Sequence, residues 1–123
     1  MNVLAIDYGS KRVGFAYSIQ GIISTLPPAK NDKNILPHIQ DLISQFAIKH
    51  VYVGLSEGEF AAKTKVFVAK LSSMLELPVE TVEEAISTIE ANQIYKNNSR
   101  SKKDYKKSID SLAAAVILRR VIN

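Results

Sequence analysis

The sequence predicts a single α/β domain built on a five-stranded mixed sheet with helices on both faces. Three apolar, β-branched runs follow one another near the N-terminus with only short links, which favours an antiparallel meander. Strand-like and helix-like segments then alternate, the pattern of parallel strands joined by helical crossovers. The 123 residues contain no internal repeat and no linker, so one domain spans 1–123.

The first strand is expected over Val3–Asp7, ended by the turn signal Gly9-Ser10. Val13–Ile19 and Gly21–Leu26 complete the meander, which Pro27-Pro28 should close because neither residue can donate to a ladder. From Ile35 the period becomes helical: Ile35, Leu36, Ile39, Leu42, Ile43 and Phe46 form one apolar stripe. Val51–Leu55 reads as a buried parallel strand. Phe60–Leu75 is helical, with Phe60, Thr64, Phe67, Val68, Leu71 and Leu75 inward. Pro78–Val82 is the fifth strand and Ile86–Tyr95 a further helix. Asn97–Lys107 lacks apolar periodicity and reads as a loop before a last helix over Ser108–Val121, whose Ala113-Ala114-Ala115 run suits close packing on a sheet.

Composition narrows the chemistry. Without cysteine there can be no disulfide, thiolate zinc site or cysteine nucleophile, and two histidines, His38 and His50, leave little for a histidine-built metal site. No apolar stretch reaches the roughly 18–20 residues of a membrane span, and Met1–Ile6 runs straight into Asp7 without a basic leader or cleavage site. A soluble cytoplasmic protein with no membrane partner is expected. The net charge is +4. Six basic residues fall between Lys96 and Lys107 against Asp104 alone, and the rest of the chain is slightly acidic. A polyanionic partner would therefore meet one segment.

Three acidic positions stand out. Asp7 ends a row, Val3-Ala5-Asp7, that alternation otherwise assigns to core, so its carboxylate needs a cation or hydrogen-bond donors; an Asx turn before Gly9 is an equal local alternative. Glu83-Glu84 end the fifth strand, and only one of the two can face the same way as Asp7. Asp110 lies in the first turn of the last helix. Taken singly, the latter two suit helix N-termini. Taken together, strand ends at one edge of an α/β sheet plus a packed helix could gather all three. Clustered carboxylates stay ionised only around a cation, and all-oxygen ligands select Mg²⁺ or Mn²⁺. With a phosphate-attracting basic segment nearby, these are the parts of metal-assisted phosphodiester hydrolysis.

The run Leu4-Ala5-Ile6-Asp7-Tyr8-Gly9-Ser10-Lys11-Arg12-Val13-Gly14-Phe15-Ala16 resembles the opening motif of the YqgF (RuvX) family. That family is described as pre-16S rRNA nucleases and Holliday junction resolvases with a ribonuclease H-like fold. Val51-Tyr52-Val53-Gly54-Leu55 resembles its VVGLP strand, Glu83-Glu84-Ala85-Ile86-Ser87-Thr88 its Asp-Glu-Arg-Leu-Thr-Thr segment, and Ile109-Asp110-Ser111-Leu112-Ala113-Ala114 its C-terminal vDxxAA helix. The resemblance implies a ribonuclease H-like fold and a metal-dependent nuclease acting in 5′-end maturation of precursor 16S rRNA. Asp7, Glu84 and Asp110 match the catalytic acids and would hold two Mg²⁺ or Mn²⁺ ions, with Asp7 bridging them. Gly9 would let backbone approach a phosphate that Lys11 and Arg12 neutralise. Arg100, Lys102, Lys103, Lys106 and Lys107 would hold the nucleic-acid backbone; the commoner meaning of such a run is a solvated loop. The implied partner is structured RNA, including precursor rRNA on the ribosome, or branched DNA, met by a monomer or a homodimer.

The chain departs from the family pattern at three positions. Ser56 replaces a proline, Glu83 an aspartate, and Ala85 an arginine able to orient a carboxylate or a phosphate. A junction-resolving DNA endonuclease and a catalytically weakened nucleic-acid-binding module are the alternatives. Asp-x-Gly-Ser also opens the phosphate loops of actin- and sugar-kinase-like ATPases, but those need two such domains.

Overall fold

The computed structural model describes residues 1–55, 60–83 and 102–122, with the side chains of 83 and 102–111 outside that description. Five strands form one sheet: β1 (Val3–Tyr8), β2 (Arg12–Ile19), β3 (Ile22–Lys30), β4 (His50–Leu55) and β5 (Val79–Glu83). Helix α1 (Ile35–Gln45) joins β3 to β4, α2 (Phe60–Met74) precedes β5, and α3 (Lys102–Ile122) follows it. The strand order is β3-β2-β1-β4-β5. The meander β1–β2–β3 is antiparallel, whereas β4 runs parallel to β1 and β5 parallel to β4, as the sequence predicts.

Alternation on the central strands sends side chains to two different layers. Leu4, Ile6, Val13, Phe15, Val51 and Val53 form the face covered by α1 and α2, where they meet Ile39, Leu42, Phe67 and Leu71. The opposite face is built of small residues: Ala5 and Ala16 pack against Ala114, Ala115, Ile117 and Leu118 of α3. The alanine run thus does what its composition suggests, letting a helix lie close to the sheet. Gly54 carries this furthest. A Cβ there would stand 2.6 Å from Ile117 Cδ1, so the glycine makes room for that side chain.

Two sequence expectations need correction. Pro27-Pro28 does not close the third strand; β3 continues to Lys30. Val13 pairs with Ala29 and Phe15 with Leu26, so Pro27 and Pro28 together oppose Gly14. They sit in a bulge on an edge strand, where a missing N–H costs no ladder bond. The second correction concerns Lys102–Lys107, which are helical, because α3 starts at Lys102 rather than Ser108. The segment has no glycine or proline, lysine is a good helix former, and extending an existing helix is far easier than nucleating one. The helix expected over Ile86–Tyr95 lies outside the described residues, as do Glu84 and Arg100.

The β2–β3 turn is Gln20-Gly21, with φ of 54° and 81°, the doubly positive conformation favoured in two-residue hairpins. At the entrance to β1, Asn2 Nδ2 donates to Phe46 O (2.8 Å) and Lys49 N to Asn2 O (2.8 Å), tying the strand to the end of α1. On β4 and β5, Tyr52 is paired with Glu80, and Glu80 also meets His50 Nε2 at 2.5 Å. Burial, then the Glu80 charge and hydrogen bond, raise the Tyr52 phenol above its ordinary value of 10.0.

Gly54→Ala should cost about 1 kcal/mol, the penalty of pushing buried Ile117 off its rotamer. Adding Ile117→Val, which removes the offending methyl, should recover part of that loss; urea melts of the two single variants and the double variant read the coupling. Because the Tyr52 pKa is raised on folding, its contribution is complete below the unfolded value and declines as pH rises through the folded one. Tyr52→Phe should therefore flatten the alkaline loss of stability above pH 10 that wild type shows in thermal melts.

Candidate active site

β1 is the middle strand, and its last two residues leave the sheet on opposite faces. Tyr8 joins the α1/α2 layer, its ring stacked on Phe67 (centroids 4.1 Å, 18°) and near-parallel to Phe60 (5.6 Å, 21°). Asp7 continues the row of Val3 and Ala5 on the α3 side. It pairs with Gly14 on β2 and Gly54 on β4, so neither cross-strand neighbour puts a side chain beside the carboxylate. Asp7 is only partly buried. A carboxylate at the carboxyl end of parallel strands, between two glycines and accessible to solvent, is a fitting donor for a hard cation.

The turn after β1 is held from outside. Asn31, just past β3, donates through Nδ2 to Gly9 O (2.8 Å) and through its backbone N–H to Lys11 O (2.9 Å). Gly9 has a local requirement of its own: a Cβ there would run into the carbonyl oxygen of Arg12. Lys11 and Arg12 are exposed at the tip, and Arg12 pairs in the ladder with exposed Lys30, just beyond the bulge. Lys30 therefore belongs to the basic rim of this edge. Nothing in its local sequence separates it from an ordinary surface lysine; only the continuation of β3 past the prolines brings it here.

Of the three acids singled out by sequence, Asp7 alone has a described side chain. Asp110 is a residue of α3, two helical turns before Ile117, and Ile117 sits over Gly54, the β4 partner of Asp7. Val82, two positions before Glu84, packs on the α3 side of the sheet, the side of Asp7. Among the described residues no three His, Cys, Asp or Glu side chains assemble as a metal site. Lys102, Lys103, Lys106 and Lys107 occupy the first two turns of α3.

Comparison with known proteins bears on this arrangement. The family model described as "RuvX: Holliday junction resolvase" matches residues 1–123. A protein of Halothermothrix orenii named "Putative pre-16S rRNA nuclease" is 31% identical, the match covering 100% of this chain and 95% of that protein. Among solved structures, the fowlpox virus resolvase in complex with Holliday junction DNA superposes with a TM-score of 0.61 at 13% identity, over 100% of both chains. The Thermus thermophilus RuvC in complex with a Holliday junction substrate gives 0.52 at 14% identity, over 98% of this chain and 96% of that one. The structural likenesses bear on fold, and they agree with the ribonuclease H-like sheet and its two helical layers. With its whole length matched by the family model, the chain belongs to the RuvX family.

Proposed function

We propose that this chain is a metal-dependent nuclease that hydrolyses phosphodiester bonds in structured RNA, acting in the cytoplasm at the 5′ end of precursor 16S rRNA. Nuclease activity follows from its membership of the RuvX family. The RNA assignment takes its support from the names of the curated relatives. The observation that carries the chemistry is the position of Asp7: the last residue of its row on the central strand, between two glycines, at the carboxyl edge of the sheet.

In this reading Asp7, Glu84 and Asp110 are the catalytic acids and would hold Mg²⁺ or Mn²⁺. When bound, such ions polarise the phosphoryl oxygen and lower the pKa of water. Asp7 supplies an oxygen donor from a strand fixed by pairing on both sides. Gly54 lets α3 approach β4 beside Asp7, and position 110 lies on the helical stripe of position 117, two turns toward the N-terminus. Lys11 and Arg12 neutralise substrate phosphate on the turn that Asn31 fixes. Arg100, Lys102, Lys103, Lys106 and Lys107 hold the backbone without reading its sequence. A second reading, cleavage of four-way DNA junctions, draws on the description of the family model.

Asp7→Asn should lower cleavage of a precursor 16S 5′-end RNA by roughly a thousandfold or more while leaving thermal stability within about 1 kcal/mol. Equal cleavage by variant and wild type would remove Asp7 from the site. Side-by-side digestion of that RNA and a four-way DNA junction in Mg²⁺ should show preference for the RNA; cutting of the junction alone would favour the second reading. Lys102→Ala with Lys103→Ala should flatten the slope of log affinity against log salt for RNA binding by about 0.7–0.9 for each phosphate the pair neutralises in wild type.

A further inference from the structure

On the face of the sheet opposite Asp7, a cavity of about 440 Å³ opens between the start of α1 and the exposed side of α2. That volume falls within the roughly 300–1,000 Å³ typical of small-molecule sites. Its floor is aromatic and aliphatic: Tyr8 and Phe67, with Ile35 and Leu36 from α1. Its rim carries Lys33, Lys63 and Lys70. Asp32 also lines it, with Oδ1 already accepting from Asn34 N (2.8 Å). None of the three lysines forms an ion pair among the described residues.

The face of α2 toward this cavity has its own pattern. Lys63, Val66, Phe67 and Lys70 stand at i, i+3, i+4 and i+7, one stripe of a helix. Val66 is 56% exposed, an apolar side chain left in solvent between two lysines. An apolar strip bracketed by cations suits a ligand with a flat apolar part and an anionic part. The cavity also connects to the candidate active site. Tyr8 follows Asp7 directly, and Asn31, in the cavity wall, is the residue that clamps the Gly9–Lys11 turn. A strand lying over Asp7, Lys11 and Arg12 would reach the cavity around the sheet edge.

We propose that this cavity holds one nucleotide of a single-stranded extension of the substrate, with its base against Leu36, Val66 and the part-exposed ring of Tyr8, over a floor that buried Phe67 supports, and its phosphate on Lys33, Lys63 and Lys70. The proposal rests on the nuclease reading above. It gives the enzyme a second anchor, on the far face of the sheet from the carboxylates, that a fully paired end cannot use. Apolar packing of a base on this strip is tolerant of base identity, so the anchor senses an unpaired nucleotide rather than a sequence.

The test compares binding of a blunt RNA duplex with the same duplex carrying a five-nucleotide single-stranded extension, by fluorescence anisotropy in EDTA to prevent cleavage. Wild type should prefer the extended duplex about fivefold, the low end of what one base contributes on such a platform. The double substitution Lys63→Glu, Lys70→Glu should bring the ratio of the two affinities close to one. Both lysines are exposed on α2, and a thermal melt verifies that the variant folds. Excess adenosine 5′-monophosphate should abolish wild type's preference, and adenosine without phosphate should not. Equal affinity for the two duplexes, or a preference that persists in the double variant, overturns the proposal. Mononucleotide binding without any effect of the extension also overturns it, and marks the cavity as a site for a free nucleotide. Asp7→Asn separates the two claims: it should lose cleavage and keep the preference. Retained cleavage there would defeat the nuclease assignment of Asp7 and leave the affinity ratio to decide the cavity.

Discussion

The whole arrangement depends on β1 being paired on both edges and packed on both faces. Leu4, Ala5 and Ile6 are fully buried in the middle of the sheet, with β2 antiparallel on one side and β4 parallel on the other. A strand so enclosed has no freedom to slip, since a one-residue shift would exchange its two sets of side chains. Its last pleat then delivers Asp7 to one face and Tyr8 to the other at a single sheet edge. The candidate carboxylate and the aromatic floor of the cavity are adjacent residues placed by one constraint.

The two faces differ in bulk, and the difference has consequences for chemistry. Large aliphatic and aromatic side chains fill the α1/α2 layer, where tight packing fixes the position of the sheet. On the other face alanines and glycines bring α3 close, so that Ile117 fits against Gly54 beside the Asp7 position. Small residues contribute less burial, and this face gains in proximity what it lacks in apolar area. For a site assembled from a strand end and a helix, proximity is the requirement. Asn31 supports the same edge from the neighbouring connection by satisfying two carbonyls of the turn that carries Lys11.

Much of this was legible in the residues themselves. The meander, the switch to parallel strands and the two helical stripes follow from period and link length, and the row Val3-Ala5-Asp7 marks Asp7 without any structure. The prolines misled because their effect depends on position in the sheet: at an edge bulge they are harmless, and only the pairing of Val13 with Ala29 shows that they lie there. Lys30, Lys63 and Lys70 could not be told from solvated lysines, because what distinguishes them is the company of Arg12 or of a cavity built from segments far apart in sequence. Lys102–Lys107 lacked apolar periodicity because a helix's charged end needs none once its later turns are packed.

That last point changes what the basic segment is. Of the four lysines in the first two turns of α3, Lys102 and Lys103 lie in the first turn, where the helix dipole already presents positive charge, an arrangement that costs a few tenths of a kcal/mol per charge. Acidic residues at those positions would make a more stable helix. Asp104 interrupts the run and Asp110 follows it, but the balance remains against the local preference. Conflicts of this kind concentrate where function rather than folding sets the residue. A helix also holds lysines in a fixed pattern about one axis, whereas a loop would leave them spread in solvent. The dipole and the ammonium groups then act in the same direction on a phosphate, and what is unfavourable to the free helix becomes favourable when a polyanion lies across its end. The net charge of the chain is therefore less informative than its position, since most of it sits at the start of the helix that also carries Asp110.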